Sequence, residues 1–117
     1  MNKICTSIEQ SKKLIELGLD VKTADMFWDT LLAKKPEAQV NNHYLIDEYD
    51  DEHRVPAWSL STLLGMIPKN YLIEANKKTT RTLYNITAIS GEVTHYNEDL
   101  VDAAVEMLLK FYNKNKR

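Results

Sequence analysis

Hydrophobic spacing and helix punctuation divide the chain into elements before composition is considered. Ile8, Ile15 and Leu19 fall on one face of a helix, while Glu9, Lys13 and Glu16 lie largely away from it. A capping box opens this helix in either of two registers, Thr6 with Glu9 or Ser7 with Gln10. Gly18 suits the left-handed conformation that closes it near Leu17, folding Leu19 back on Leu14. Further along, Leu60, Leu63, Leu64 and Ile67 repeat at helical spacing between an N-cap at Ser59 and a stop at Pro68. Trp58 is placed to staple against Leu63. The broadest apolar face belongs to the last helix, through Leu100, Ala103, Ala104, Met107, Leu108 and Phe111, widened by Val101 and Val105. Asn97 reads as its cap and Tyr96 with Val101 as its staple. Glu98 and Asp99 sit at the positive end of its dipole, Lys110 and Lys114 near the negative end.

The remaining segments read as strands. Met26, Trp28, Thr30 and Leu32 alternate as strand positions do, although Phe27 and Leu31 also fit a helical turn; the strand is preferred. Its expected partner is the run from His43 to Tyr49, with Tyr44 and Ile46 on one face, across a connection from Lys34 to Asn42. Asp47 to Arg54 reads as a polar loop. Tyr71–Ala75, Arg81–Ile89 and Glu92–Tyr96 are rich in β-branched and aromatic residues, and the polar Asn76–Thr80 and Ser90-Gly91 separate them. They predict a three-stranded antiparallel meander. The whole pattern predicts an α+β domain over residues 1–112: a mainly antiparallel sheet of about five strands, N- and C-terminal helices packed on it, and one short central helix. Residues 113–117 form a polar, basic tail expected to fray.

Composition narrows the function classes. A chain of 117 residues fits one domain, and a net charge of −2 is too close to neutral for a whole basic nucleic-acid-binding face. A single cysteine, Cys5, excludes an internal disulfide. No apolar run approaches the roughly 20 residues that cross a bilayer, and the N-terminus shows no signal-peptide segment, so a cytoplasmic protein is expected. Three glycines leave no Gly-rich phosphate loop.

Candidate chemistry is sparse. Asp47, Glu48, Asp50, Asp51 and Glu52, flanked by His43 and His53, form an acidic run. A calcium loop would need oxygen ligands at alternate positions and a glycine at the sixth, but Tyr49 and Glu52 occupy the third and sixth positions. The run therefore reads as a solvated surface or a contact for a basic partner, and no metal or cofactor is expected. His43, His53 and His95 lack zinc-ligand spacing. Cys5 precedes a helix but lacks a dictated partner for catalysis. Ser59 is accounted for by capping, and Asp99, Asp102 and Glu106 by the dipole and polar face of the last helix. Asp25 would need a partner brought by folding. Lys77, Lys78 and Arg81 gather at a hairpin tip near Tyr71 and Tyr84, a weak phosphate-gripping arrangement on a net-acidic chain. Trp28 and Trp58 are assigned to the core.

Three stretches carry a resemblance: Glu9-Gln10-Ser11-Lys12-Lys13-Leu14-Ile15-Glu16-Leu17-Gly18 followed by Thr23-Ala24-Asp25-Met26, then Val55-Pro56-Ala57-Trp58-Ser59-Leu60-Ser61, then Val101-Asp102-Ala103-Ala104-Val105-Glu106-Met107. Together they resemble a family of small proteins carried by prophages, phages and conjugative elements of gut Bacteroidales. The acidic run and the basic tail lie outside the pattern. The resemblance implies an accessory protein in the bacterial host cytoplasm and supplies no catalytic residue. The leading expectation is a non-catalytic protein that binds a host or phage protein, in its sharper form inhibiting a defence or housekeeping protein. A binder of small ligands or nucleotides, using a pocket between Trp28, Trp58 and the sheet and open to enzymatic chemistry, is the alternative. Weak nucleic-acid binding through Lys77, Lys78 and Arg81 ranks third. The sequence leaves oligomeric state open.

Overall fold

The first helix, α1 (Ile8–Glu16), uses the second of the two capping registers in a computed structural model that describes residues 3–29, 37–40 and 54–115. The Ser7 hydroxyl accepts from the Gln10 N–H, and the Gln10 side chain accepts from the Ser7 N–H. Thr6 is free for another task, and its side chain is fully buried. The helix closes as the spacing predicts. Gly18 sits at φ 101°, its N–H donates to the Ile15 carbonyl, and the Leu19 N–H donates to the Leu14 carbonyl. One turn of 3-10 helix, Val21–Thr23, then leads into the first sheet.

That sheet is where sequence and structure part. β1 (Met26–Asp29) is a strand, as expected for that part of the run, while Thr30 and Leu32 lie outside the described residues; β2 (Glu37–Val40) pairs with β1 antiparallel, Met26 opposite Val40. Glu37–Val40 lies inside the stretch assigned to a connection. The expected partner run, His43 to Tyr49, lies outside the described residues. On the other side of β1 is β3 (Arg54–Ala57), antiparallel with Phe27 opposite Pro56. Its proline and its exit from a charged stretch hide a strand from any propensity reading. The order β2-β1-β3 makes β3 an edge, where a residue without an N–H is tolerated.

The N-terminal segment continues the pairing beyond β3. The Thr6 N–H donates to the Trp58 carbonyl at 2.9 Å, and the Trp58 N–H donates to the Thr6 hydroxyl at 3.1 Å. That hydroxyl also meets Ser11 Oγ at 2.8 Å, and the Thr6 carbonyl accepts from the Trp28 indole at 2.8 Å. Trp58 itself is fully buried, its indole donating to Thr23 Oγ1 at 2.9 Å.

Helix α2 (Leu60–Met66) has Ser59 as its N-cap, and Ile67 turns extended immediately before Pro68, as the ring requires. Beyond it the expected meander is present: β4 (Tyr71–Lys77), β5 (Thr82–Ala88) and β6 (Val93–Asn97), in the order β4-β5-β6. Gly91, at φ 104°, makes the turn into β6. The α+β class holds, but the strands form two three-stranded antiparallel sheets rather than one sheet of about five. The helix α2 intervenes in the chain between them, and each sheet recruits its own strands. The main core joins Leu14, Trp58 and Leu63 to Ile86, Met107 and Leu108; a smaller cluster unites Cys5, Met26 and Ala57.

Helix α3 (Leu100–Asn115) packs on β6 and β5 and against α2. Its cap is Asp99 rather than Asn97: the Asp99 carboxylate accepts the Val101 N–H at 2.9 Å and its carbonyl the Ala103 N–H. Asn97 is still in β6, opposite Tyr84, and its amide donates to Glu106 at 2.8 Å. The helix also runs on to Asn115, past the expected start of the tail, because neither Gly nor Pro stops it. Lys3 binds the front of this helix through its N–H to Asp99 and its ammonium to Asp102, both at 2.7 Å, and Gln10 reaches the same Asp102 oxygen.

Replacing Thr6 by valine keeps the shape but strands the buried Trp58 N–H and the Ser11 hydroxyl. The expected loss is about 2–4 kcal/mol in urea unfolding, against less than about 1 kcal/mol for Thr6→Ser.

Candidate interaction edge

The second sheet ends in two edge strands, β4 and β6, and the final helix packs against β6. α3 covers β5 and β6, and β4 is left as an edge strand with Tyr71 half-buried and Leu72 to Lys77 all exposed. Which backbone groups face outward follows from the ladder. The Ile89 N–H donates to the Asn70 carbonyl, and the Lys78 N–H to the Arg81 carbonyl, in the same register that pairs Ile73 with Ile86. Hydrogen-bonded pairs alternate in an antiparallel ladder. The even-numbered residues of β4 therefore bond to β5, and Tyr71, Ile73, Ala75 and Lys77 direct N–H and C=O away from the sheet. Among the described residues no strand pairs with this edge.

The edge has two unlike ends. At the Tyr71 end, Leu72 is 71% exposed, Ile73 39% and Ile89 78%, three of the five exposed large hydrophobic residues of the described chain. An apolar groove of about 310 Å³ lies between Asn70, Tyr71, Leu72, Thr87, Ala88 and Ile89, with no charged side chain in its wall. At the other end stand Lys77 and Lys78, both exposed. Arg81, grouped with them by sequence, is not part of this feature: its guanidinium pairs with Glu98 at 2.9 Å. The acidic run Asp47, Glu48, Asp50, Asp51 and Glu52 lies outside the described residues, as do His43 and His53.

Other candidate chemistry is absorbed by structure. Asp25 finds its partner in Ser59, accepting the backbone N–H at 2.8 Å and the hydroxyl at 2.5 Å, so the carboxylate and the capping serine fix the start of α2 together. This role was invisible in sequence, since the residues are 34 apart. Cys5 is buried against Met26 and Ala57, and burial pushes its thiol up, with the Asp25 charge adding to the effect. The thiol is a neutral core group, the opposite of a dipole-activated nucleophile. The indoles of Trp28 and Trp58 are held by Thr6 and Thr23, and the groove described above lies on the other sheet. Among the described residues no three His, Cys, Asp or Glu side chains gather as a metal site, and no helix is long and apolar enough to cross a membrane.

Two outcomes follow from this geometry. Ala75→Pro, at an outward-facing N–H, should cost less than about 1 kcal/mol in urea unfolding, whereas Asn76→Pro removes a ladder bond and should cost about 2–3 kcal/mol or more. Cys5 has its folded pKa raised above the ordinary 9.0, so its contribution to stability is complete below that value and is lost as pH climbs through the folded pKa. A Cys5→Ala variant should therefore lose less stability than the parent between neutral and strongly alkaline pH, and native Cys5 should react with iodoacetamide far more slowly than in urea. No protein-family model matches the chain, nor does a curated protein or a solved structure.

Proposed function

We propose that the chain is a non-catalytic accessory protein that binds another protein, adding an extended segment of that partner to the open edge of β4. The observation that carries this reading is the outward row of N–H and C=O groups on β4 beside the exposed Leu72, Ile73 and Ile89. Such an edge is a template for strand addition, in which backbone bonds supply affinity and side-chain pockets supply specificity. Natural proteins usually blunt edges of this length with proline, bulges or a covering element. β4 carries neither proline nor bulge, and its one lysine, Lys77, stands at its C-terminal end.

The resemblance to proteins of phages and mobile elements fits a partner within a bacterial host cytoplasm, and inhibition of a defence or housekeeping protein is the sharper form of the proposal. A nucleotide-binding reading draws no support from the groove, whose wall holds no charged group to meet a phosphate. Nucleic-acid binding is left with Lys77 and Lys78, because Arg81 is engaged by Glu98.

The test compares affinity capture from bacterial lysate by the parent protein and by Ala75→Pro, which blocks the edge without opening the sheet. A partner retained by the parent and at least about tenfold depleted with the variant is the expected result. Equal capture by both, or none by either, overturns strand addition at β4.

A further inference from the structure

The two ends of β4 specify more than a site, because they give the bound strand a direction and a charge. Tyr71, Ile73 and the groove beside Leu72 and Ile89 ask for apolar side chains. Lys77 and Lys78 are adjacent and exposed, a pair of positive charges that carboxylates complement, against the single exposed Lys69 before the Tyr71 end. The only acid within the strand is Glu74, at its centre. From this polarity we infer that the partner's segment is an extended strand running antiparallel to β4, acidic at its N-terminal end and apolar toward its C-terminal end. The inference rests on strand addition at β4 and adds the chemistry of what is added.

A second copy of the chain meets like charges in two of its registers on this edge. In a two-fold pairing with full overlap, Glu74 lies directly opposite its counterpart, and Lys77 falls opposite Tyr71. Like charges directly opposed across an antiparallel pair are destabilising. A slide of the register that places Ile73 opposite Ile73 puts Lys69 opposite Lys77. A foreign strand with acids only at one end meets neither conflict. Antiparallel addition is also the more stable of the two directions per residue, and it places the partner's N-terminal acids against Lys77 and Lys78.

Two synthetic peptides test the proposal on the intact chain: Asp-Glu-Thr-Val-Thr-Ile-Val-Thr, and a charge-swapped version beginning Lys-Lys. Binding is read by the chemical shifts of backbone amides and by calorimetry. The acidic peptide should bind at least about tenfold more tightly at low salt, the gap narrowing as added salt screens the exposed charges. Its largest shifts should fall on Tyr71, Ile73, Ala75 and Lys77. Lys77→Glu with Lys78→Glu should reverse the preference, and Ala75→Pro should abolish binding of both peptides. If both peptides bind equally and Ala75→Pro removes both, strand addition stands and the acidic specificity is wrong. If neither peptide perturbs β4, or if Ala75→Pro leaves binding intact, the edge is not the site and both readings fall. A dimer in sedimentation that Ala75→Pro dissociates assigns the edge to a second copy and also overturns the inference.

Discussion

The hydroxyl of Thr6 is the point on which the two halves of this molecule close. It accepts the Trp58 N–H and hydrogen-bonds with the Ser11 hydroxyl, while the same residue's backbone binds the Trp58 carbonyl and the Trp28 indole. One buried residue thus links the start of α1, the end of β3 and the packing of β1. Its neighbours on either side complete the seam: Cys5 bridges to Ser59, and Ser7 caps α1. Polar groups that deep are stable only when every partner is present, and here they are supplied by segments distant in sequence. The hydrophobic residues around them, Leu14, Trp58 and Leu63, fill space that this network has already defined.

Division into two sheets follows from where the covering helices lie. α1 packs near β3, and α3 lies over β5 and β6. A helix shields the face of a sheet and leaves the outward backbone groups of its two edge strands unpaired. On the first sheet the edge at β3 is prolonged by the N-terminal segment and carries Pro56. On the second, β4 has no such cover among the described residues, and its exposed aliphatic side chains remain at the surface. The open edge of β4 therefore follows from its end position in an unclosed sheet.

What could be read from the sequence was local. The Ser7–Gln10 box, Gly18, Ser59, the residue before Pro68 and the β-branched and aromatic content of β5 all express rules that act within about a turn or a pleat. Each agreed with the structure. The strands β2 and β3 escaped because Glu-Ala-Gln-Val and Arg-Val-Pro-Ala have little intrinsic preference and are made strands by β1 between them. Asn97 looked like a cap until its place in the ladder gave that duty to Asp99. Lys77 and Lys78 were visible as a charged tip, yet the edge beside them was not. Its identity depends on which residues bond inward, and that parity exists only once the register is set.

The salt bridge and backbone bond from Lys3 to α3 join residues 99 and 96 positions apart. Contacts of such separation bring little reward until the intervening chain has collapsed, so closing them is slow compared with local turns. During synthesis α1 and the first sheet leave the ribosome well before α3 exists. Until then the N-terminal segment has no Asp99 or Asp102 to hold it, and Leu14 and Trp58 lack the helix that completes their surroundings. The first elements therefore settle fully only once α3 has emerged and docked, and their unfinished apolar surfaces are open to chaperones in the interval.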